Sequence, residues 1–361
     1  MKFILHRMLI LFAALSVLFL LSAPALAQDA DTIYDAAESW DDNTAVHVTF
    51  EGDTVNIQGE GAALQNGVLT ISKAGTYVLY GAWDNGQVCI DAGKDDVVRL
   101  VLNGVSIRSP SSTAMYAKQA GKVIITLVKD TENSLEDGGD HVLPDGDANP
   151  DAALYVQDSL CINGRGTLLV IANVKHGIVS KDDLMITGGI LVVKAADVGI
   201  RGRDSLEISG GEITVNAKGD ALQANNADDP GKGFILLSGG KYHLTSGKDG
   251  IQAESSLTIS SGDYTLYTGG VTNTPGDINP HTWQPDGTSQ DAAGKGLKAG
   301  TSIYLSGGTF SLFCADDAVN AKGDILIENS ILKIAARDDG IHADGLVTIE
   351  GGKLVIQTSI Q

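Results

Sequence analysis

The chain has 361 residues, enough for an extensive core, yet only 5% are aromatic and 44 are glycine. That balance suits a thin, repetitive structure with many turns better than one thick core. A formal charge of −20 argues against nucleic acid as partner, since phosphates need a basic surface. Three scattered cysteines, Cys89, Cys161 and Cys314, are too few for a disulfide framework.

In chain order, residues 1–27 read as a secretory signal peptide. Lys2, His6 and Arg7 precede an apolar run from Met8 to Leu21, and Ala25-x-Ala27 is the small-residue pattern a signal peptidase cuts after. The run is short for a permanent membrane span, and no second apolar stretch of spanning length follows. Residues 28–46 form a polar lead-in. Residues 47–110 are expected to make an N-terminal β cap and the first coils. Val68 to Tyr80 and Val97 to Ile107 read as strands, with turns at Asn66-Gly67 and Asn103-Gly104.

From 111 to 361 the sequence repeats. Aligned on a small residue, the anchors are Gly177, Gly199, Ala221, Gly250, Gly296, Ala318 and Gly340, separated by 22, 22, 29, 46, 22 and 22 residues. The longer steps hold insertions near 225–231 and 271–294, and a further excursion lies near 130–151. Within each unit, positions +1, +7, +9, +14 and +16 are apolar, as in Ile200, Leu206, Ile208, Ile213 and Val215. Period-two alternation between Gly turns means short half-buried strands, not helices. One unit cannot bury its apolar face alone; stacking the units does, with equivalent residues in columns about 4.8 Å apart. Propeller blades need about 40 residues each, so a right-handed parallel β-helix of roughly 22-residue coils is the expected all-β fold. The last unit, ending at Gln361, carries no covering helix, and end-to-end self-association at this C-terminal coil is one expectation.

The columns place the candidate chemistry. At the two positions before the anchor, stacking sets Asp220 beside Asp249, and Asp316 and Asp317 beside Asp338 and Asp339. Carboxylates roughly 5–6 Å apart repel by about 3 kcal/mol at an effective dielectric near 20, so the quartet needs a proton, a basic neighbour or a cation. Calcium favours carboxylate oxygens and tolerates irregular geometry. Asp-Gly at a corner is also ordinary turn chemistry. A second acidic group, Asp137, Asp140, Asp145, Asp147 and Asp151, lies in a loop able to wrap calcium or simply to face water. At +2, Arg201, Gln223, Gln252, Lys298, Asn320 and His342 form a polar stripe able to hydrogen-bond a polysaccharide, and Trp283 is placed to stack on a sugar ring. Lys248 beside Asp249 is the best grouping for a lyase base, although Lys-Asp at a turn is commonly plain charge balance.

The strings Asp338-Asp339-Gly340-Ile341-His342-Ala343, Asp316-Asp317-Ala318-Val319-Asn320-Ala321 and Lys248-Asp249-Gly250-Ile251-Gln252-Ala253 resemble a family of bacterial secreted carbohydrate-binding domains built as parallel β-helices. The resemblance runs from about Asp53 to the C-terminus. It implies bound calcium, a secreted or cell-surface location, and adsorption to polysaccharides such as cellulose or pectin-like polyuronates without turnover. It also implies likeness to calcium-dependent pectate lyases, which keeps lyase activity as the alternative. The double-Asp pattern is broken at Lys175-His176, Asp197-Val198 and Gly294-Lys295.

Overall fold

The computed structural model of the chain describes residues 38–52, 54–139, 141, 150–270 and 294–358. The signal-peptide reading of 1–27 therefore lies outside the described residues, as do Asp140, Asp145, Asp147, Trp283 and most of the 271–294 insertion. No helix among the described residues is long and apolar enough to cross a membrane.

The chain folds as a parallel β-helix. Among the described residues, 12 strands make a sheet of short strands and 22 make the remaining faces. A single coil shows the path. Ile200–Gly202 lies in the short-strand face, Ser205–Ile208 in a middle face, and Glu212–Ala217 in a long-strand face. Each strand pairs in parallel with its equivalent one coil on: Ile200 with Leu222, Leu206 with Ile235, Ile213 with Tyr242. The apolar columns point inward, and Ile200, Leu206, Ile213 and Val215 are buried.

The structure explains why the anchor must be small. A Cβ on Gly199 would lie 2.3 Å from Cγ1 of Val215, the +16 residue of its own coil, and 2.7 Å from the carbonyl oxygen of Ala221 in the next. The same collision with the +16 side chain recurs at Gly177, Gly250 and Gly340. In the Gly188-Gly189 and Gly210-Gly211 turns it is the second glycine that takes a left-handed backbone, with φ of +92° at Gly189 and +96° at Gly211, where a side chain is disfavoured.

The N-terminal end is finished differently. Val46–Glu51 runs parallel to Gly75–Trp83 and antiparallel to Thr54–Gln58. Ala62–Gln65 and Val68–Ile71 form an antiparallel hairpin whose Asn66 and Gly67 both have positive φ, the type I′ geometry expected of Asn-Gly. Asn103-Gly104 departs from expectation: it is no hairpin turn but a corner inside one strand, Val97–Arg108. Residues 97–102 pair with Lys122–Leu127, and 106–108 pair with Glu132–Glu136. Buried Asn133 holds this corner, its Oδ1 accepting the N–H groups of Gly104 (2.9 Å) and Val105 (3.0 Å). At the other end, the last described coil leaves Leu346, Ile349, Val355 and Ile356 exposed.

Inside the long-strand face, Tyr242, Tyr264 and Phe310 stack with centroids 4.5 and 4.7 Å apart and rings within 8° of parallel. The Tyr264 hydroxyl donates to the Ser261 carbonyl at 2.7 Å. Tyr264→Ala should therefore cost about 4 kcal/mol through the cavity it leaves. Tyr264→Phe, which keeps the stack and loses one hydrogen bond, should cost about 1 kcal/mol. Chemical denaturation of both variants checks this; equal losses would contradict the stacking account.

Candidate functional site

The residues just before each anchor sit where the long-strand face turns into the short-strand face. Their side chains do one repeated job. Oδ1 of Asp220 accepts the backbone N–H of Asp249 at 3.0 Å, Oδ1 of Asp249 accepts that of Lys295 at 2.9 Å, and Oδ1 of Asp317 accepts that of Asp339 at 3.1 Å. At the coil where Asp is replaced, Nδ1 of His176 accepts the Val198 N–H at 3.2 Å. Asp220, Asp249, Asp317 and His176 thus each satisfy a backbone donor one coil on, a role that Val198 and Lys295 at the same position do not take. In the excursion, Oδ1 of Asp137 does the same for Asn173 at 2.5 Å, while its Oδ2 lies 3.1 Å from Nε2 of His141.

The second carboxylate oxygen is held by the +2 stripe. Gln223 donates to Asp220 at 2.5 Å, Lys298 to Asp249 at 2.7 Å and Asn320 to Asp317 at 2.8 Å, and Nδ1 of His342 lies 3.1 Å from Asp339. Arg201 donates through Nε to Gln223 at 2.6 Å. Of the polar stripe residues, only Gln252 has no side-chain hydrogen-bond partner among the described residues. Sequence spacing shows that the stripe points outward; it does not show that the stripe is already bonded to the acidic column beside it. Lys248 stands exposed while Lys298, from the next coil, takes the Asp249 carboxylate.

The expected quartet comes together as a trio. Asp316, Asp317 and Asp338 each present an oxygen, all within 4.8 Å of one another. Asp339 turns instead to His342. The basic neighbour is Lys295, which occupies the Asp column one coil earlier; its ammonium lies 2.6 Å from Asp316 and 3.1 Å from Asp317. Burial opposes the charge on Lys295, but the two carboxylates outweigh it and hold the ammonium above its usual range. A lysine in a column of aspartates, 22 residues before Asp317, was the sequence signal for this contact.

Sequence reasoning placed Asp151 with the acidic loop and missed its contact with buried His176. Nε2 of His176 lies 3.3 Å from Oδ2 of Asp151 and 3.1 Å from Nη1 of Arg201. Nδ1 accepts from Val198 and the Arg201 guanidinium stands against Nε2, so both contacts disfavour a doubly protonated ring and the imidazole is neutral. Burial lowers the His176 pKa, and the neighbouring Arg201 charge adds to it against the pull of Asp151. Burial also pushes Asp220 up, helped by the Asp249 charge.

An elongated β-helix with a self-bonded polar corner defines a scaffold that displays side chains in straight rows. Its relatives name the class more closely. A family model described as "Carbohydrate-binding domain-containing protein" matches residues 65–336, and the chain belongs to that family. A relative from Acetivibrio thermocellus with the same description is 40% identical over 225 residues, covering 62% of this chain and 79% of the relative. A solved structure of a polysaccharide lyase-like protein from C. thermocellum, as a gadolinium derivative, matches at a TM-score of 0.58 and 27% identity, covering 86% of this chain and 100% of that one.

The imidazole gives a pH signature. A pKa lowered on folding means that the stabilisation by neutral His176 is fully present above its unfolded value of 6.5 and is lost as pH falls through the lower folded value. His141 and His342 are raised, so their contributions run the opposite way. The difference between wild type and His176→Gln isolates the buried ring: the wild-type denaturation midpoint should fall more steeply below pH 6.5. Parallel profiles would contradict the neutral assignment.

Proposed function

We propose that this is a secreted, non-catalytic polysaccharide-binding protein that adsorbs to cellulose or an acidic, pectin-like polymer with the help of calcium. The observation that carries the reading is the register. Each coil adds one residue to each outward row, so the surface repeats along the axis as a polymer does. Family membership supplies carbohydrate as the ligand class.

The donor set fits calcium at Asp316, Asp317 and Asp338, three carboxylates of the kind this cation prefers. Lys295 already neutralises two of them, so calcium would enter by displacing its ammonium. Bound there, it would supply a positive centre able to bridge protein and sugar carboxylates. Asp220 and Asp249 make a weaker second candidate, since each carboxylate is already engaged by backbone and stripe.

The second reading, a calcium-dependent lyase, draws on the lyase-like neighbour. It requires a base beside bound calcium, and Lys248 is its candidate. Incubation with polygalacturonate and calcium separates the two. Adsorption without unsaturated, ultraviolet-absorbing products is expected; products abolished by a chelator would overturn the non-enzymatic reading. In the same preparations, calcium at about 100 times its dissociation constant should stabilise the wild type by about 2.7 kcal/mol. The gain should be absent in Asp317→Asn. A wild-type melting temperature indifferent to both calcium and chelator would remove calcium from the account.

A further inference from the structure

The stripe on the short-strand face is largely occupied by its own neighbours, which leaves open where a polymer would touch. One groove on the opposite side of the turn differs. It encloses about 330 Å³ at the edge of the long-strand face, and its lining includes Asn173, Lys194, Asn216 and Lys218. Lys194 and Asn216 are adjacent members of one outward row, paired in register across consecutive coils. Lys218 follows on the Asn216 coil, its backbone N–H bonded to the Ala195 carbonyl at 3.1 Å.

Both ammonium groups are exposed, and neither pairs with a carboxylate among the described residues. In a chain whose acids outnumber its bases 45 to 25, this groove is lined by two such ammonium groups and by no carboxylate. Of the acids on neighbouring strands, Glu136 lies 3.5 Å from Arg108 and Glu212 lies 3.4 Å from Lys241, while Asp197, beside the Lys218 turn, faces His176 at 3.7 Å. Asn173 is fixed by its amide, which donates to the Asp137 carbonyl at 2.9 Å. One coil beyond Lys218, Lys248 is exposed and likewise unpaired among the described residues, its backbone N–H bonded to the Gly219 carbonyl at 3.2 Å. Three free cations thus step across three consecutive coils.

We infer that this groove binds the anionic groups of an acidic polysaccharide lying along the solenoid axis, through direct contacts from Lys194 and Lys218. The shared chemistry is an anionic sugar, carrying either a carboxylate or a sulfate ester. Ammonium groups without internal partners lose no salt bridge on binding, and charge-assisted contacts to such groups are strong. The inference rests on the polysaccharide-binding reading and deepens it by giving a site and a ligand class that need no metal.

The test is titration calorimetry at low salt with a chelator present, which removes any calcium bridge. The probes are oligogalacturonate, a sulfated galactan oligomer and a neutral cello-oligomer. Wild type should bind at least one anionic probe, more weakly as salt rises. Lys194→Gln/Lys218→Gln should lose about tenfold in affinity for it or more. Lys322→Gln/Lys353→Gln, which removes the same charge from exposed lysines elsewhere, should bind as wild type does. Binding of the cello-oligomer alone, or equal affinity in wild type and the groove variant, would overturn the groove while leaving polysaccharide binding intact. No binding of any probe with the chelator present would overturn the groove, and no binding after calcium is restored would overturn the polysaccharide-binding reading as well. Unchanged thermal unfolding of the groove variant serves as the folding control.

Discussion

The hydrogen bonds that hold one coil on the next run along the solenoid axis: Ile178 N to Gly199 O, Ile200 N to Ala221 O, Leu222 N to Gly250 O, Ile251 N to Gly296 O. They fix the register, and the register places every side chain in a column. Buried Ile and Leu columns are one consequence, and the small anchor, squeezed between its own +16 residue and the next coil, is another. The insertion after Ala224 is accommodated because it leaves the coil at a corner and the chain returns to the same columns at Ile235.

The same stacking creates an electrical problem and solves most of it locally. Aspartates piled on aspartates would repel, but each gives one oxygen to a backbone N–H of the following coil and most give the other to a stripe side chain. Where the column breaks, the replacement keeps a partner: His176 accepts the same kind of backbone donor, and Lys295 brings a positive charge to the densest acidic spot. The corner therefore ties coils together, with the Asp316, Asp317 and Asp338 trio as the place where a cation would add most. Lys194 and Lys218 stand without carboxylate partners around one groove on the other side of the turn, and this is why we assign contact with anionic sugar to that groove.

Much of this was legible in the sequence. The 22-residue period, the inward columns and the Gly-Gly turns translate directly into strands and corners, because period-two alternation and stacking leave little freedom. Asp220 beside Asp249 followed from the same spacing. Three things did not follow. Asn103-Gly104 reads as a hairpin signal, yet the strand bends through it because Asn133, 29 residues after Gly104, caps the bend. The stripe reads as available, yet its partners are the acids three positions back or one coil away, and a column assignment gives position without side-chain direction. His176 and Asp151 lie on consecutive coils, with Ala152 paired to His176, but a column assignment does not tell that the imidazole points at the carboxylate.

The account turns on where a polymer meets the rows of side chains. A crystal of the protein soaked with oligogalacturonate, with a chelator present, tests this most directly. The account expects the oligomer to lie along the axis over consecutive coils, with carboxylates against Lys194 and Lys218. An oligomer seated instead on the short-strand stripe, displacing Gln223 and Lys298 from their aspartates, would contradict it.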